Sequence, residues 1–484
     1  MGAGFAGIGF AIKLTQRGVR YALIERGASV GGTWRDNTYP GAACDVPSLL
    51  YCFSFAPNPD WSRSYPLQAE IRAYLENCVE RYGLGPNLRL GNGVAAARFD
   101  QARSLWQLNL DDGSQLLARV LIIATGGLSR PKLPQIAGLE DFKGALMHSA
   151  RWDAKVPLAG RRVGVIGTGA SAVQIVPAIV DQVGQLSVFQ RSAPWIVRKA
   201  DRPVSAAARA RNRRRPFRQR WRRALLDWAF DLRVLPFTRL RACLPLIEPI
   251  VALKRRLEVP DAALRRALKP DYRVGCKRVL LSNDYYPALG RPHVDLVTSP
   301  IDRIVADGVR CADGQLRALD VLVLATGFYG AEQGPPFPIE GRDGRALDRV
   351  WTGGGEAYLG TAVGGFPNLF LLSGPNTGLG HHSVIAMLEA QFGYLIGALD
   401  WLAARPGAVL EVRAESQQQH QRWLDARLAR SVWNQGGCKS WYLTDSGRNT
   451  TLWPRSVRAY RRALARFDPV QYKTSVGVPQ SPQQ

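Results

Sequence analysis

Two glycine-rich turns carry the most specific chemical signal in this 484-residue chain. The first, Gly2-Ala3-Gly4-Phe5-Ala6-Gly7, runs into an amphipathic stretch through Leu14, and an apolar strand from Tyr21 to Ile24 then ends at Glu25. Glycines let a backbone approach a pyrophosphate, the following helix N-terminus offers free N–H groups and its dipole, and an acidic residue about 20 positions on accepts from ribose hydroxyls. Glu25 lies 18 positions beyond Gly7, so Gly2, Gly4, Gly7 and Glu25 are candidate contacts to one dinucleotide. The strand that should precede the first glycine is missing, because only Met1 stands there. A misplaced start codon or a truncated chain is the expected cause, and exposed strand edges with a weakened nucleotide site are the expected consequence.

The second unit is complete. Arg162-Val163-Gly164-Val165-Ile166 leads into Gly167-Thr168-Gly169-Ala170-Ser171-Ala172 and a helical stretch to Ile179. After the next apolar strand the acidic position holds Gln190-Arg191-Ser192 instead. An arginine there suits a 2′-phosphate, so Gly167, Thr168, Gly169, Ala172, Arg191 and Ser192 are assigned to NADP rather than NAD. Two further apolar strands, 120–126 and 321–327, both end in Ala-Thr-Gly, which lets the chain pass close beneath a dinucleotide and cross between domains. Two nucleotide units with two such crossovers describe a flavoprotein that binds two dinucleotides. A disulfide reductase shares this plan but needs a redox-active cysteine pair. The seven cysteines (44, 52, 78, 243, 276, 311 and 438) show no redox or metal-ligand spacing, so a reduced, cytoplasmic setting is expected. His381-His382 lack a third ligand at a sensible spacing, so no metal is expected and both read as loop residues near the flavin.

The elements that must position these turns follow from composition and patterning. With 46% hydrophobic and 21% charged residues the chain is neither disordered nor collagen-like. The expected fold class is α/β, with two dinucleotide-binding, Rossmann-like domains. The FAD domain spans 1–150 and 321–484, the NADP domain 151–205 and 271–320, and a helical insertion 206–270. The formal net charge of +25 raises the question of a nucleic acid or an anionic membrane. Fifty-four arginines against ten lysines point partly to an arginine-rich codon background, yet residues 198–278 hold 24 basic and 7 acidic residues. Runs such as Trp221-Arg222-Arg223-Ala224-Leu225-Leu226-Asp227-Trp228 read as helices with one basic and one apolar face. Arg213-Arg214-Arg215 lies inside a nucleotide-binding domain without any nucleic-acid module, so no nucleic-acid partner is expected. A peripheral contact with an anionic membrane is the expectation kept for this segment. Its most apolar stretch, 242–253, is broken by Pro245, Glu248 and Pro249, and no apolar run approaches the ~20 residues of a spanning helix.

Between the two units, residues 142–153 read Phe, any, Gly, three any, His, three any, Trp, Asp. This resembles the fingerprint of the type I Baeyer–Villiger monooxygenases, and the related N- and S-oxygenating flavin monooxygenases carry Tyr where this chain has Trp152. Gly31-Gly32-Thr33-Trp34, followed at the family's spacing by Tyr39-Pro40-Gly41 and Asp45, is also similar to that family, as are 374–380 and 433–438. The resemblance implies that NADPH reduces FAD, that O2 adds to the flavin C4a, and that the resulting peroxide converts a ketone to an ester or lactone. It puts Arg278, in Cys276-Lys277-Arg278-Val279, at the active-site arginine position, with Asp45 as the carboxylate that orients it. It assigns Lys277 and Arg191 to the NADP 2′-phosphate, and Gly32, Thr33, Trp34 and Tyr39 to the surroundings of the flavin. It leaves Trp433 either at the nicotinamide ribose or in the core. Phe142, Gly144, His148 and Trp152 are expected to couple the domains and handle NADP. Two rivals stand beside this reading: an N- or S-oxygenating enzyme on the same fold, and a flavin-free scaffold acting as a basic binding protein.

Overall fold

The computed structural model describes residues 1–330 and 334–476. Its most regular layer is a five-stranded, all-parallel sheet in the order Val294–Val297, Gln185–Phe189, Arg162–Ile166, Val321–Leu324, Ala145–His148. A parallel sheet is covered on both faces, so its strands are apolar throughout. Val163, Val165, Leu186, Val188, Leu322 and Val323 have no exposed surface. The helix Ala170–Ile179 packs on one face, and Phe142, Ile304 and Val309 close the other. Strand pairing therefore changes the expected domain limits: the cuts at 150/151 and 320/321 fall inside this sheet, because Ala145–His148 and Val321–Leu324 both pair within the second nucleotide unit.

In the first unit, the helix Phe5–Gln16 is apolar on nearly every side and packs against the 20-residue helix Val384–Ala403. Gly9 permits that approach, since a Cβ there would stand 2.6 Å from the Phe53 ring and 2.7 Å from Phe392. Two parallel strand pairs lie beside the helix, Leu23–Ile24 with Leu88–Arg89 and Leu121–Ile123 with Leu369–Leu371. Met1 and Gly2 join them. The Met1 amino group donates to the Ile122 carbonyl (2.8 Å), the Ala124 N–H to the Met1 carbonyl (2.8 Å), and the Gly2 N–H to the Ile24 carbonyl (2.7 Å).

The insertion is helical as expected, with Ala206–Arg214, Pro216–Leu232, Val234–Thr238, Leu244–Glu258 and Ala262–Ala267. The helix Pro216–Leu232 is fastened to the body largely through polar groups. Gln219 donates to the Asn58 carbonyl, Arg223 to the carbonyls of Leu49 and Cys52, and Asp227 pairs with Arg461. The buried Asp231 carboxylate accepts from the Val457 N–H at the start of the helix Val457–Ala463. Among the described residues, no helix is long and apolar enough to cross a membrane.

One expectation about the cysteines is corrected. Cys276 and Cys438 form a disulfide, with Cα atoms 6.1 Å apart and 162 residues between them in sequence. A pair brought together by tertiary folding has no signature in local spacing. It ties the segment carrying Lys277 and Arg278 to the loop that follows Trp433.

Asp231→Ala leaves the Val457 amide unpaired in the interior and is expected to cost about 1–3 kcal/mol. Thermal unfolding measures the loss, and limited proteolysis should cut first within 206–270.

Candidate active site

Arg278 stands just before the short strand Leu280–Leu281, which pairs in parallel with Ile196–Val197 of the second unit. Asp45 comes from the first unit, 233 positions away. The two meet as a bidentate ion pair, with Arg278 Nε donating to Asp45 Oδ2 at 2.6 Å and Nη2 to Oδ1 at 2.8 Å. Arg278 Nη1 also donates to the Leu379 carbonyl at 3.2 Å. Both side chains are only a quarter to a third exposed. The Asp45 charge therefore raises the Arg278 pKa further. Burial alone would push the Asp45 carboxyl up; the charge and hydrogen bonds of Arg278 outweigh it and hold Asp45 below the usual carboxylate range.

The adjacent Lys277 points the other way, toward the second glycine turn. Its Nζ donates to Ser192 Oγ at 2.8 Å and lies 4.7 Å above the Tyr272 ring. Burial, and then the neighbouring Arg191 charge, lower its pKa. Thr168 Oγ1 donates to the Ser192 carbonyl at 2.9 Å. Lys277, the exposed Arg191, Ser192 and Thr168 thus gather at one end of the turn Gly167–Gly169. Ala172, in the first turn of the following helix, is fully buried against the sheet.

Both turns use the same close approach. Gly2 and Gly167 have φ of 96° and 118°, and a Cβ on either would stand 2.5 Å from a carbonyl oxygen, that of Ala124 or Ala325, at the end of an Ala-Thr-Gly strand. A Cβ on Gly7 would strike the Gly2 carbonyl oxygen. The family-like segment 31–45 faces the first turn: Gly31 N–H donates to the Ala3 carbonyl, and Gly32 Cα is the nearest atom to a Cβ placed on Gly4. Gly32 precedes the single helical turn Thr33–Asp36. Trp34 Nε1 donates to the Tyr51 hydroxyl at 3.0 Å, and Tyr39 donates to Gln174 of the second unit at 3.0 Å. Glu25 closes the first turn: its carboxylate accepts from Ala3 N–H and Gly27 N–H, both at 2.8 Å, and pairs with Arg35 at 2.6 Å. A ribose hydroxyl would share an acceptor that is already engaged.

The fingerprint residues lie along the edge strand of the second sheet. Phe142 is in the core beneath it, and Gly144 permits contact with the Asp320 carbonyl. His148 accepts from the Ala150 N–H through Nδ1 and lies 3.1 Å from the Gly327 carbonyl through Nε2, which sets the neutral tautomer with the proton on Nε2. Burial lowers its pKa. Trp152 packs half-buried on the cluster around Val163 and Ile175. These four residues stand at the crossover between the units, and none touches Arg278. Trp433 is 1% exposed and packs against Gly380 and Phe237.

Residues 1–222 match the pyridine nucleotide-disulphide oxidoreductases, the broad family sharing the two-nucleotide plan. Over 475 residues the chain is 45% identical to a Baeyer–Villiger monooxygenase of Streptomyces coelicolor, covering 98% of this chain and 91% of that one. The chain belongs to the Baeyer–Villiger monooxygenase family. Among solved structures it is similar to OTEMO in complex with FAD and NADP, with a TM-score of 0.88, 26% identity and 98% of each chain covered. It is also similar to a cyclohexanone monooxygenase bound to ε-caprolactone, with a TM-score of 0.84, 28% identity and 96% of each chain covered.

The residues present fit the dinucleotides such a family member needs. The helices Phe5–Gln16 and Ala170–Ile179 begin at Gly4 and Gly169 with no side-chain cap and no acidic residue in the first turn, leaving their N–H groups for an anion. A Cβ on Gly169 would meet nothing within 4 Å. Near Arg278, both ring nitrogens of the buried His381 have no protein partner. Burial first, then the charges of His382, Arg278 and Arg233, lower the His381 pKa to about 3. His382 is held instead by Ser383 and Asp227, and among the described residues no cluster of three metal-ligating side chains exists. Sequence spacing missed Leu379 and Gln174, whose contacts arise from long-range folding, and Tyr272 and Arg35, whose nearby partners Lys277 and Glu25 meet them only through the way their loops close.

Asp45→Ala strands a shielded guanidinium and is expected to lower stability by about 2–3 kcal/mol. Because the folded Asp45 pKa is lowered, its contribution is present above the unfolded value of about 4 and is lost as pH falls below it. His381 behaves likewise at higher pH: its contribution is full above about 6.5 and declines as pH falls from there toward 3. In denaturant titrations at a series of pH values, His381→Leu should show a shallower loss of stability below about pH 6 than the parent chain.

Proposed function

We propose that this chain is an FAD- and NADPH-dependent monooxygenase that inserts one oxygen atom of O2 beside a ketone carbonyl, giving an ester or lactone. The observation that carries the reading is the bidentate Arg278–Asp45 pair, assembled from the two nucleotide units at the segment adjoining Lys277. FAD, when bound, supplies hydride acceptance from NADPH and the activation of O2. The chain supplies the surroundings.

Gly2, Gly4, Gly7 and Glu25 hold the FAD side, with Gly32, Thr33 and Trp34 across from that turn. Gly167, Thr168 and Gly169 hold NADP, and Arg191, Lys277 and Ser192 bind its 2′-phosphate. Arg278 keeps its positive charge at every working pH and presents several N–H donors, so it stabilises a developing oxyanion and has no proton to release that would quench it. Asp45 fixes the plane of that guanidinium, and the Leu379 carbonyl fixes one further donor. Trp433 stays in the core behind Gly380 and supports the loop carrying His381. His148 and Trp152 couple the units at the crossover. A cytoplasmic location is part of the proposal, and a peripheral membrane contact through residues 206–270 is another part.

The purified enzyme should show a flavin spectrum, ketone-stimulated NADPH oxidation under air, and an ester detectable by mass spectrometry. A sulfoxide or N-oxide as sole product would overturn the reading. Arg278→Ala should lower ester formation by about 100-fold or more while the flavin spectrum persists. Arg191→Ala should raise the KM for NADPH by about tenfold and leave that for NADH nearly unchanged.

A further inference from the structure

A surface helix ordinarily buries its apolar stripe and turns its polar face to water. Two helices of the insertion turn an apolar stripe to water as well as packing Phe230, Leu244, Ile247 and Val251 inward. In Pro216–Leu232, the side chains of Phe217, Trp221, Leu225, Trp228 and Leu232 recur at intervals of three or four and are 43–67% exposed. The opposite face carries Gln219, Arg223, Asp227 and Asp231, all bonded to the body. In Leu244–Glu258, a second stripe of Leu246, Ile250, Leu253 and Leu257 is 50–75% exposed. Pro249 inside this helix does not interrupt the stripe.

The charges around the stripes are almost all of one sign. Residues 206–270 contain 18 basic and five acidic side chains. Four of the five carboxylates are engaged: Asp227 with Arg461, Asp231 with the Val457 N–H, Glu248 with Arg273 and Glu258 with Lys254. Only Asp261 is exposed, and it caps the helix Ala262–Ala267. Arg218, Arg220 and Arg222, by contrast, are exposed beside the first stripe, and Arg256 beside the second. The surface offered to solvent therefore combines aliphatic and indole groups with uncompensated cations.

This combination selects among occupants. A second copy of the chain would bring the same cationic rim against itself. A nucleic acid would satisfy the arginines and leave the leucines in water. A bilayer with anionic headgroups satisfies both, with tryptophans at headgroup level and aliphatic side chains at the acyl boundary. We propose that residues 206–270 dock the enzyme on an anionic lipid bilayer through the outward stripes of these two helices. This deepens the membrane contact named above by assigning its faces and its lipid. The docking does not rest on the monooxygenase reading.

The test uses the flavin-loaded full chain in flotation with vesicles of phosphatidylcholine alone and of phosphatidylcholine with phosphatidylglycerol. The chain should float only with the anionic vesicles, about tenfold less at high salt than at low salt. Tryptophan emission should shift to the blue on binding and be quenched by brominated lipid. W221S/L225S/W228S and L246S/I250S/L257S should each reduce flotation at least about tenfold, with the flavin spectrum and vesicle-free NADPH oxidation retained. Equal recovery with both vesicle types, or variants that float like the parent, would overturn the proposal. So would a dimer in light scattering that these variants dissociate while the parent ignores vesicles. Should a variant fail to fold, the parent's lipid comparison and the brominated-lipid quenching decide alone. Flotation without ester formation would defeat the monooxygenase reading and leave the docking standing, and ester formation without flotation would do the converse.

Discussion

A shielded positive charge needs a partner, and in this chain that requirement spans the molecule. Arg278 belongs to the second nucleotide unit and Asp45 to the first, so the bidentate pair forms only when the two units are seated together. Removing either member would leave the other charged in a poorly solvated place, which costs more than the pair contributes. The neighbourhood reinforces the seating. Tyr39 and the Ala43 backbone bind Gln174 on the helix behind the second glycine turn, and the Cys276–Cys438 bond fixes the arginine segment to the C-terminal loop. On the proposed reading Arg278 stabilises developing negative charge, which requires that it be held before the charge appears, and these restraints hold it.

The two glycine turns solve one steric problem twice. In each, the first glycine takes a positive φ and sits against the carbonyl that ends an Ala-Thr-Gly strand, closer than any side chain allows. The turn and the crossover are thus a single packed unit. Gly327 and its hydrogen-bonded neighbour His148 stand where the chain crosses between the two units. That placement accounts for a fingerprint histidine which touches no reacting group.

Much of this was legible in the sequence because it depends on local pattern. Glycine spacing, apolar strands and the replacement of an acidic residue by Arg191 are short-range features, and the structure gathers Arg191, Lys277, Ser192 and Thr168 at one turn. Strand membership was less legible. An apolar run such as Val321–Leu324 does not say which sheet it joins, and only its pairing with Ala145–His148 and Arg162–Ile166 does. The disulfide was illegible for the same reason, since the partners approach through folding across 162 residues. Glu25 shows a third kind of gap: its position was readable, yet its bonds to Ala3, Gly27 and Arg35 depend on how the turn closes.

Polarity patterning had the subtlest limit. The alternation of basic and apolar residues in 206–270 identifies amphipathic helices, but periodicity alone does not say which face turns inward. The usual answer follows from the area law for apolar burial. Here specific polar partners join the buried Phe230 in setting the inward face, because Asp227 and Asp231 find Arg461 and the Val457 amide on the C-terminal part of the chain. Each such contact is directional and satisfied, so the helix Pro216–Leu232 is positioned without its apolar stripe. The stripe is left free, and the cations beside it have no carboxylates to neutralise them. The net charge of +25 thus divides by location: a few cations gather at the second glycine turn and in the Asp45 pair, many form ion pairs across the body, and a concentrated group remains on one exposed subdomain. A charge excess that looked like a property of the whole protein is, in three dimensions, a property of a surface whose apolar groups also lack a partner.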